Sequence, residues 1–176
     1  MKHVVVVNGP PRAGKDTFIA MLRDAAACPT EEFSSIDPVR QLLSQVVDVS
    51  GKTEADRKML ATVGDALEEH SRFRTEACLG AAALFFRTRK HGIFFCHIRE
   101  PRHILHLRRV WRETAFTVTT VLIVGRRAQR VTSNPADAGV LGMDYDRTVT
   151  NDGTLADLRR TAEDFLVDLG ALSPLT

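Results

Sequence analysis

Gly9, Gly14 and Lys15, set just behind the run Val4-Val5-Val6-Val7, are the residues whose types and spacing point most directly to chemistry. Four consecutive β-branched residues suit a strand covered on both faces, as in a parallel sheet. The strand ends at Gly9, and four residues separate that glycine from Gly14-Lys15. This is P-loop spacing, with Asp16 where Ser or Thr usually follows the lysine and Thr17 one place late. Such a turn aims successive backbone N–H groups at a polyphosphate, and the next helix adds the positive end of its dipole. Lys15 supplies a point charge for the β/γ oxygens. Pro10 and Pro11 have no N–H to offer, so the cradle draws mainly on the amides from Ala13 to Thr17. The candidate nucleotide-binding residues are therefore Gly9, Arg12, Ala13, Gly14, Lys15, Asp16 and Thr17. An ordinary strand-to-helix turn is the plainer alternative. A dinucleotide fingerprint is disfavoured because its middle glycine falls at Pro11.

Mg²⁺ takes hard oxygen ligands and keeps several waters, so Asp16 could hold it through water with Thr17 as a hydroxyl partner. A carboxylate in a first helical turn is also favourable for dipole reasons alone. His97, single in an apolar stretch, reads as a hydrogen-bonded core histidine rather than a ligand. A second basic group is spread over Arg87, Arg89, Lys90 and His91, then Arg99, Arg102, His103, His106, Arg108, Arg109 and Arg112. On a helix Arg102, His106 and Arg109 share one face. That face is either merely solvated or a stripe able to neutralise successive phosphates of a polyanion such as DNA. Aromatic residues make up only 6% of the chain, so stacking platforms for single strands are not evident.

The elements that must position these groups alternate between strand and helix. After the loop, Phe18, Ile19, Met21 and Leu22 mark a helix ending near Cys28-Pro29, and Glu31 to Ile36 reads as a short strand. Asp37-Pro38 resembles an N-cap with proline at the first helical position, opening a helix through Val47. Thr53 to Asp56 starts another with a capping-box pattern, running to about Arg72. A further helix spans Glu76 to about Lys90, and Ile93 to Ile98 is a buried strand. Glu100-Pro101 opens a helix bearing Ile104, Leu105, Leu107, Val110 and Trp111, and Phe116 to Val124 is the next strand. An irregular arginine-bearing segment follows from Gly125 to Gly142, then a short strand Tyr145 to Thr150, the turn Asn151-Asp152-Gly153, and an amphipathic helix capped by Thr154. With 176 residues, 44% hydrophobic, 26% charged and a net charge of +2, the expectation is one globular domain over 1–176 with no global pull towards nucleic acid. Cys28, Cys78 and Cys96 form no metal-like pair and read as reduced thiols packed as small apolar residues. No signal-peptide pattern or membrane-length apolar run is visible, so the chain reads as cytoplasmic, in the host cytoplasm if the gene is viral, with no membrane partner. Oligomeric state is not readable.

Three separated pieces agree with one group of enzymes. Gly9 to Thr17, Ile98-Arg99-Glu100-Pro101, and Asp144 to Leu155 together resemble the bacteriophage-type deoxynucleoside monophosphate kinases, and the first and last pieces look similar to animal-type phosphomevalonate kinases. Two positions depart from the group: His97 stands where an aspartate usually precedes the arginine by two, and Glu100-Pro101-Arg102-His103 replaces Phe-Pro-Asn-Glu. The resemblance implies an α/β, nucleoside-monophosphate-kinase-like fold of about five mostly parallel strands with helices on both faces and a short lid near 125–142. It implies a phosphotransferase moving the γ-phosphoryl of ATP, with Mg²⁺, to a nucleotide or nucleotide-like acceptor. Lys15 and Asp16 then serve the donor. Asp37 is the first candidate for the base on the acceptor, or else a plain N-cap, and Arg40 binds the acceptor or is a solvated helix charge. Arg99 forks onto phosphate or forms a structural pair, for instance with Glu100, and Arg102 borders the same place. Arg126, Arg127 and Arg130 stabilise transferring charge from the lid, or are incidental to a solvated loop. Asn134, Asp137 and the Asn151-Asp152-Gly153 turn border the adenine or the lid hinge. Two rival readings remain: a kinase for a hydroxymethylated pyrimidine within phage DNA, and a nucleotide-binding switch without efficient transfer.

Overall fold

The valine run behaves as its composition requires: Val4 to Val7 are at most 1% exposed, in the middle strand of the sheet. The computed structural model describes residues 1–51, 53–126 and 139–172. Strands β1 (Lys2–Asn8), β2 (Thr30–Ser34), β3 (Gly92–His97), β4 (Thr117–Val124) and β5 (Arg147–Thr150) form one sheet in the order β2-β3-β1-β4-β5, every pairing parallel. Among the described residues the α-helices are α1 (Lys15–Ala25), α2 (Asp37–Leu43), α3 (Glu54–Ser71), α4 (Phe73–Arg87), α5 (Pro101–Arg112) and α6 (Leu155–Asp168).

Because side chains alternate across a strand, β1 serves two cores at once. Val5 and Val7 join Phe95, Val121 and Ile123 beneath Phe18, Ile19 and Leu22 of α1 and Leu158, Phe165 and Leu166 of α6. Val4 and Val6 join Phe94 and Cys96 beneath Phe85 and Phe86 of α4 and Ile104, Leu107 and Trp111 of α5. A third, smaller cluster of Val39, Leu43, Val49 and Leu60 ties α2 to α3. β1 sends its connection towards β2 and β4 sends its own towards β5, so the connections diverge at the carboxyl ends of β1 and β4. That is where open α/β sheets place ligands.

Three local expectations are corrected. Asp37 is not an N-cap: Ile36 is, and Asp37 sits in the first turn of α2 beside Pro38. That helix also stops at Leu43 rather than near Val47, since Val46 is 81% exposed and has no core to join. α4 begins at Phe73, three residues early, because Arg72 takes the left-handed conformation (φ 56°) and turns the chain between two helices in one step. The carboxylate of Glu68, on α3, then accepts from the amides of Arg74 (2.8 Å) and Thr75 (3.2 Å), capping the new helix from its neighbour. The capping boxes at Thr53/Asp56 and Thr154/Asp157 form as the sequence suggests. Cys78 and Cys96, distant in sequence, meet as buried free thiols with Sγ atoms 2.9 Å apart.

Candidate active site

The turn between β1 and α1 is built by close approach. Gly9, at φ 149°, passes β4 so tightly that a Cβ there would lie 2.3 Å from the Ile123 carbonyl oxygen. Arg12 (φ 62°) and Gly14 (φ 95°) are both left-handed, which curls the chain back before α1. Lys15 Nζ folds into this turn and donates to the carbonyls of Gly9 (2.7 Å) and Pro10 (2.9 Å). Gly14 is the N-cap of α1, and among the described residues no side chain caps that helix's N-terminus. An ammonium held inside a left-handed turn, beside uncapped helix amides, is the arrangement a polyphosphate requires. Asp16 and Thr17 are exposed in the first turn of α1, which suits a cation held through water and phosphate oxygens. Among the described residues no cluster of three or more His, Cys, Asp or Glu could hold a metal on its own.

The turn is braced from two other directions. Asn151, just after β5, donates from Nδ2 to Ala13 O at 3.0 Å, and the same atom is what a Cβ on Gly14 would strike at 2.3 Å. Asn8, the last residue of β1 and 1% exposed, accepts from Gly9 N–H at Oδ1 (2.8 Å). Its Nδ2 donates to Arg99 O (3.1 Å) and to the Tyr145 hydroxyl (2.9 Å).

Beside the turn, the carboxyl ends of β2 and β3 carry charged groups. Asp37 and Arg40 form an ion pair with each other. Arg99 and Arg102 are exposed where β3 gives way to α5. Between them and α3 lies a largely buried network centred on Arg74, which pairs with Asp65 (2.9 Å), Glu100 (3.2 Å) and Glu68 (3.8 Å). His103 approaches Glu100 (3.5 Å) and Glu68 (3.7 Å), and Thr75 Oγ1 donates to Glu68. Burial alone would push the Glu100 carboxyl up, but hydrogen bonding with His103 and the Arg74 guanidinium outweigh it and hold it at about 2. Glu68 is lowered for similar reasons, its burial outweighed by hydrogen bonds from Thr75 and the charge of His103. Ser35, Arg74, Thr75, Ile98 and His103 pack around a gap at this end of the sheet too narrow to admit a water molecule.

His97 is not a core histidine: it is partly exposed and bonds Glu32 on β2 at 2.9 Å, facing the α1 side of the sheet rather than the turn. Arg126 is exposed, and its backbone N–H and guanidinium both approach Asp152, so the Asn151-Asp152-Gly153 turn holds the start of the arginine-bearing segment. Arg127, Arg130, Asn134 and Asp137 lie outside the described residues. On α5 the buried stripe is Ile104, Leu107 and Trp111, while Leu105 is 54% exposed. Arg102, Arg109 and Arg112 are exposed, but Arg108 is drawn into an ion pair with Asp146, which also accepts from Thr120 N (2.8 Å) and Oγ1 (2.7 Å).

With strand order, turn and lysine in place, comparison with solved structures is decisive for architecture. The tunicamycin resistance protein of Deinococcus radiodurans superposes with a TM-score of 0.58 at 13% identity, over 98% of this chain and 100% of that one. The two chains share one α/β fold. An APS kinase of Mycobacterium tuberculosis, in complex with AMPPNP and APS, matches with a TM-score of 0.52 at 14% identity, over 94% and 98% of the two chains. No protein-family model and no curated protein matches the chain.

The parallel sheet thus brings Gly9 to Thr17 into one turn and sets Asp37, Arg40, Arg99 and Arg102 around the neighbouring strand ends. Sequence reading missed Asn8, Tyr145, Glu68 and Arg74, and named Glu100 only as a partner for Arg99, whereas the structure pairs it with Arg74 and His103. Asn8 had a signal, a polar residue closing an all-valine strand directly before the loop glycine. Arg74 and its carboxylates had none, being scattered over three helix boundaries.

Proposed function

We propose that this chain is an ATP- and Mg²⁺-dependent phosphotransferase acting on a nucleotide or nucleotide-like acceptor. The observation that carries the proposal is Lys15, anchored within the turn at Gly9 O and Pro10 O beside the uncapped start of α1. ATP would supply the phosphoryl group, and Mg²⁺ would neutralise its charge near Asp16 and Thr17. Phosphoryl transfer calls for alignment and charge stabilisation more than covalent chemistry from the protein. In this reading the loop amides and Lys15 grip the donor, and Arg99, with Arg126 and Arg130 from the later segment, balances charge on the moving group. Asp37, paired with Arg40 at the end of β2, orients the acceptor and takes its proton where the acceptor is a hydroxyl. The closer kinship with deoxynucleoside monophosphate kinases belongs to this proposal.

A second reading, phosphorylation of a modified pyrimidine in DNA, draws on the exposed Arg102, Arg109 and Arg112 along α5. The test is transfer from labelled ATP to deoxynucleoside monophosphates, unmodified DNA and hydroxymethylated DNA, with Lys15→Ala alongside. Labelling of a monophosphate that Lys15→Ala abolishes supports the first reading; labelling of hydroxymethylated DNA alone, with binding that weakens steeply with salt, moves the assignment to the second. ATP binding without transfer to any of them leaves a nucleotide-binding module. Full activity in Lys15→Ala removes the mechanism.

A further inference from the structure

We propose that Asn8 and Tyr145 are positioning residues that tie the phosphate loop to the turn Val140–Gly142 and to Arg99, so that filling the loop is felt at both. The proposal rests on the phosphate-binding reading of the loop. Its basis is a directional chain of hydrogen bonds across 137 positions of sequence. Gly9 N–H donates to Asn8 Oδ1 (2.8 Å), Asn8 Nδ2 donates to Tyr145 Oη (2.9 Å), and Tyr145 donates to Val140 O (2.9 Å). The second hydrogen of Nδ2 goes to Arg99 O (3.1 Å), just beyond β3.

Every polar function of both side chains is used, and the orientations are fixed by the backbone. Gly9 N–H can only donate and Arg99 O can only accept, so the amide of Asn8 has one orientation. A hydroxyl that accepts from Nδ2 has its single hydrogen left for Val140 O. Burial raises the Tyr145 phenol to about 12, against a smaller opposing effect of the Asn8 hydrogen bond, so it remains a donor across the physiological range. Aspartate at position 8 would lose both donors, and leucine all three contacts.

The consequence lies in what Gly9 supports. Its carbonyl holds Lys15 Nζ, so Asn8 fixes the peptide directly before the Gly9–Pro10 peptide that presents the ammonium, the two meeting at the Gly9 Cα. A phosphate that draws Lys15 away from Gly9 O frees the Gly9–Pro10 peptide to turn about the Gly9 Cα, which moves the Gly9 N–H, and Asn8 passes the shift to Tyr145 and Val140. Aligned hydrogen bonds also polarise one another, which strengthens the connection.

Amide exchange by NMR on the full chain tests this, with and without AMPPNP, in the wild type and in Tyr145→Phe, which keeps the ring and removes only the hydroxyl. In the nucleotide-free protein Tyr145→Phe should speed exchange at Gly9 roughly tenfold, leaving Ala13, whose amide bonds Pro10 O, unchanged. In the wild type AMPPNP should slow exchange at Gly142, whose amide closes the turn onto Gly139 O, several-fold. Tyr145→Phe should abolish that response while changing AMPPNP affinity less than about threefold. Asn8→Ser, breaking the chain at its other end, should give the same loss. A Gly142 response equal in wild type and Tyr145→Phe overturns the coupling and leaves the kinase reading intact. Failure of AMPPNP to bind the wild type defeats the kinase reading instead, and the bridge is then judged by Gly9 in the free protein: unchanged exchange overturns it, and faster exchange upholds the tie to the loop.

Discussion

Glu100→Gln gives the charge network beside the site a sign and a size. The wild-type carboxyl is lowered from an ordinary 4.5 to about 2, with its side chain only 18% exposed. A shift of that size corresponds to a stabilisation of order 3 kcal/mol at neutral pH. A depressed carboxyl contributes fully above its unfolded pKa and loses that contribution as pH falls through the folded one, so the window runs from about pH 5 down to about 2. Glutamine keeps the shape and an acceptor for Arg74 but not the charge. The gap in unfolding free energy between wild type and Glu100→Gln should therefore be about 3 kcal/mol at pH 7 and shrink to about half by pH 3. Urea unfolding followed by circular dichroism at stepped pH measures it. Glu68 and Asp146 are lowered too and steepen the acid limb of both proteins, so the difference between the curves carries the result. A gap that stays constant from pH 7 to pH 3 would refute the argument, because lost packing does not titrate.

Gly9→Ala has no flexible neighbour to displace, since its Cβ would meet the backbone oxygen of Ile123 at a φ of 149°; a loss of about 2 kcal/mol or more is expected, and an unchanged urea midpoint would contradict it. Asn151→Ala removes the strut to Ala13 O while making room above Gly14, so stability should fall by only about 1 kcal/mol and nucleotide affinity several-fold more than stability alone explains; calorimetric titration with ATP showing wild-type affinity would exclude the bracing role.

The turn from Gly9 to Thr17 was legible because its parts are contiguous. Val4 to Val7 announce a strand buried on both faces, and the glycine spacing then fixes where the backbone must turn. The capping boxes at Thr53 and Thr154 were readable for the same reason, each being a local pattern of four residues. What failed was decided elsewhere in the chain. Asp37-Pro38 looks like a cap until Arg40 is seen to take the carboxylate. His97 looks like a core residue until Glu32 arrives beside it on the sheet edge. The junction at Arg72 has no glycine to mark it, and only the carboxylate of Glu68, six residues before Arg74, explains how α4 can begin so soon.

The same contrast bears on how such a site achieves specificity. A phosphate cradle is made of backbone amides and one lysine from a single stretch, and here it is held by Asn8 from the strand before it and Asn151 from the turn before α6. Donors fixed in this way stabilise developing charge without reorganising, which favours a rigid and conservatively built donor site. In the proposed reading the acceptor would meet α2, α3, α4 and the link into α5, where Arg74 already answers three carboxylates. An acceptor bearing a phosphate must therefore be met by Arg99, Arg102 or Arg40, or else draw Arg74 away from partners whose buried charges would be left exposed to one another at a cost of several kcal/mol. In the proposed reading Arg74 is a structural cation and anion recognition falls to Arg99, Arg102 and Arg40, so exchanging those arginines should change which acceptor is chosen while the interior network keeps the helices in place.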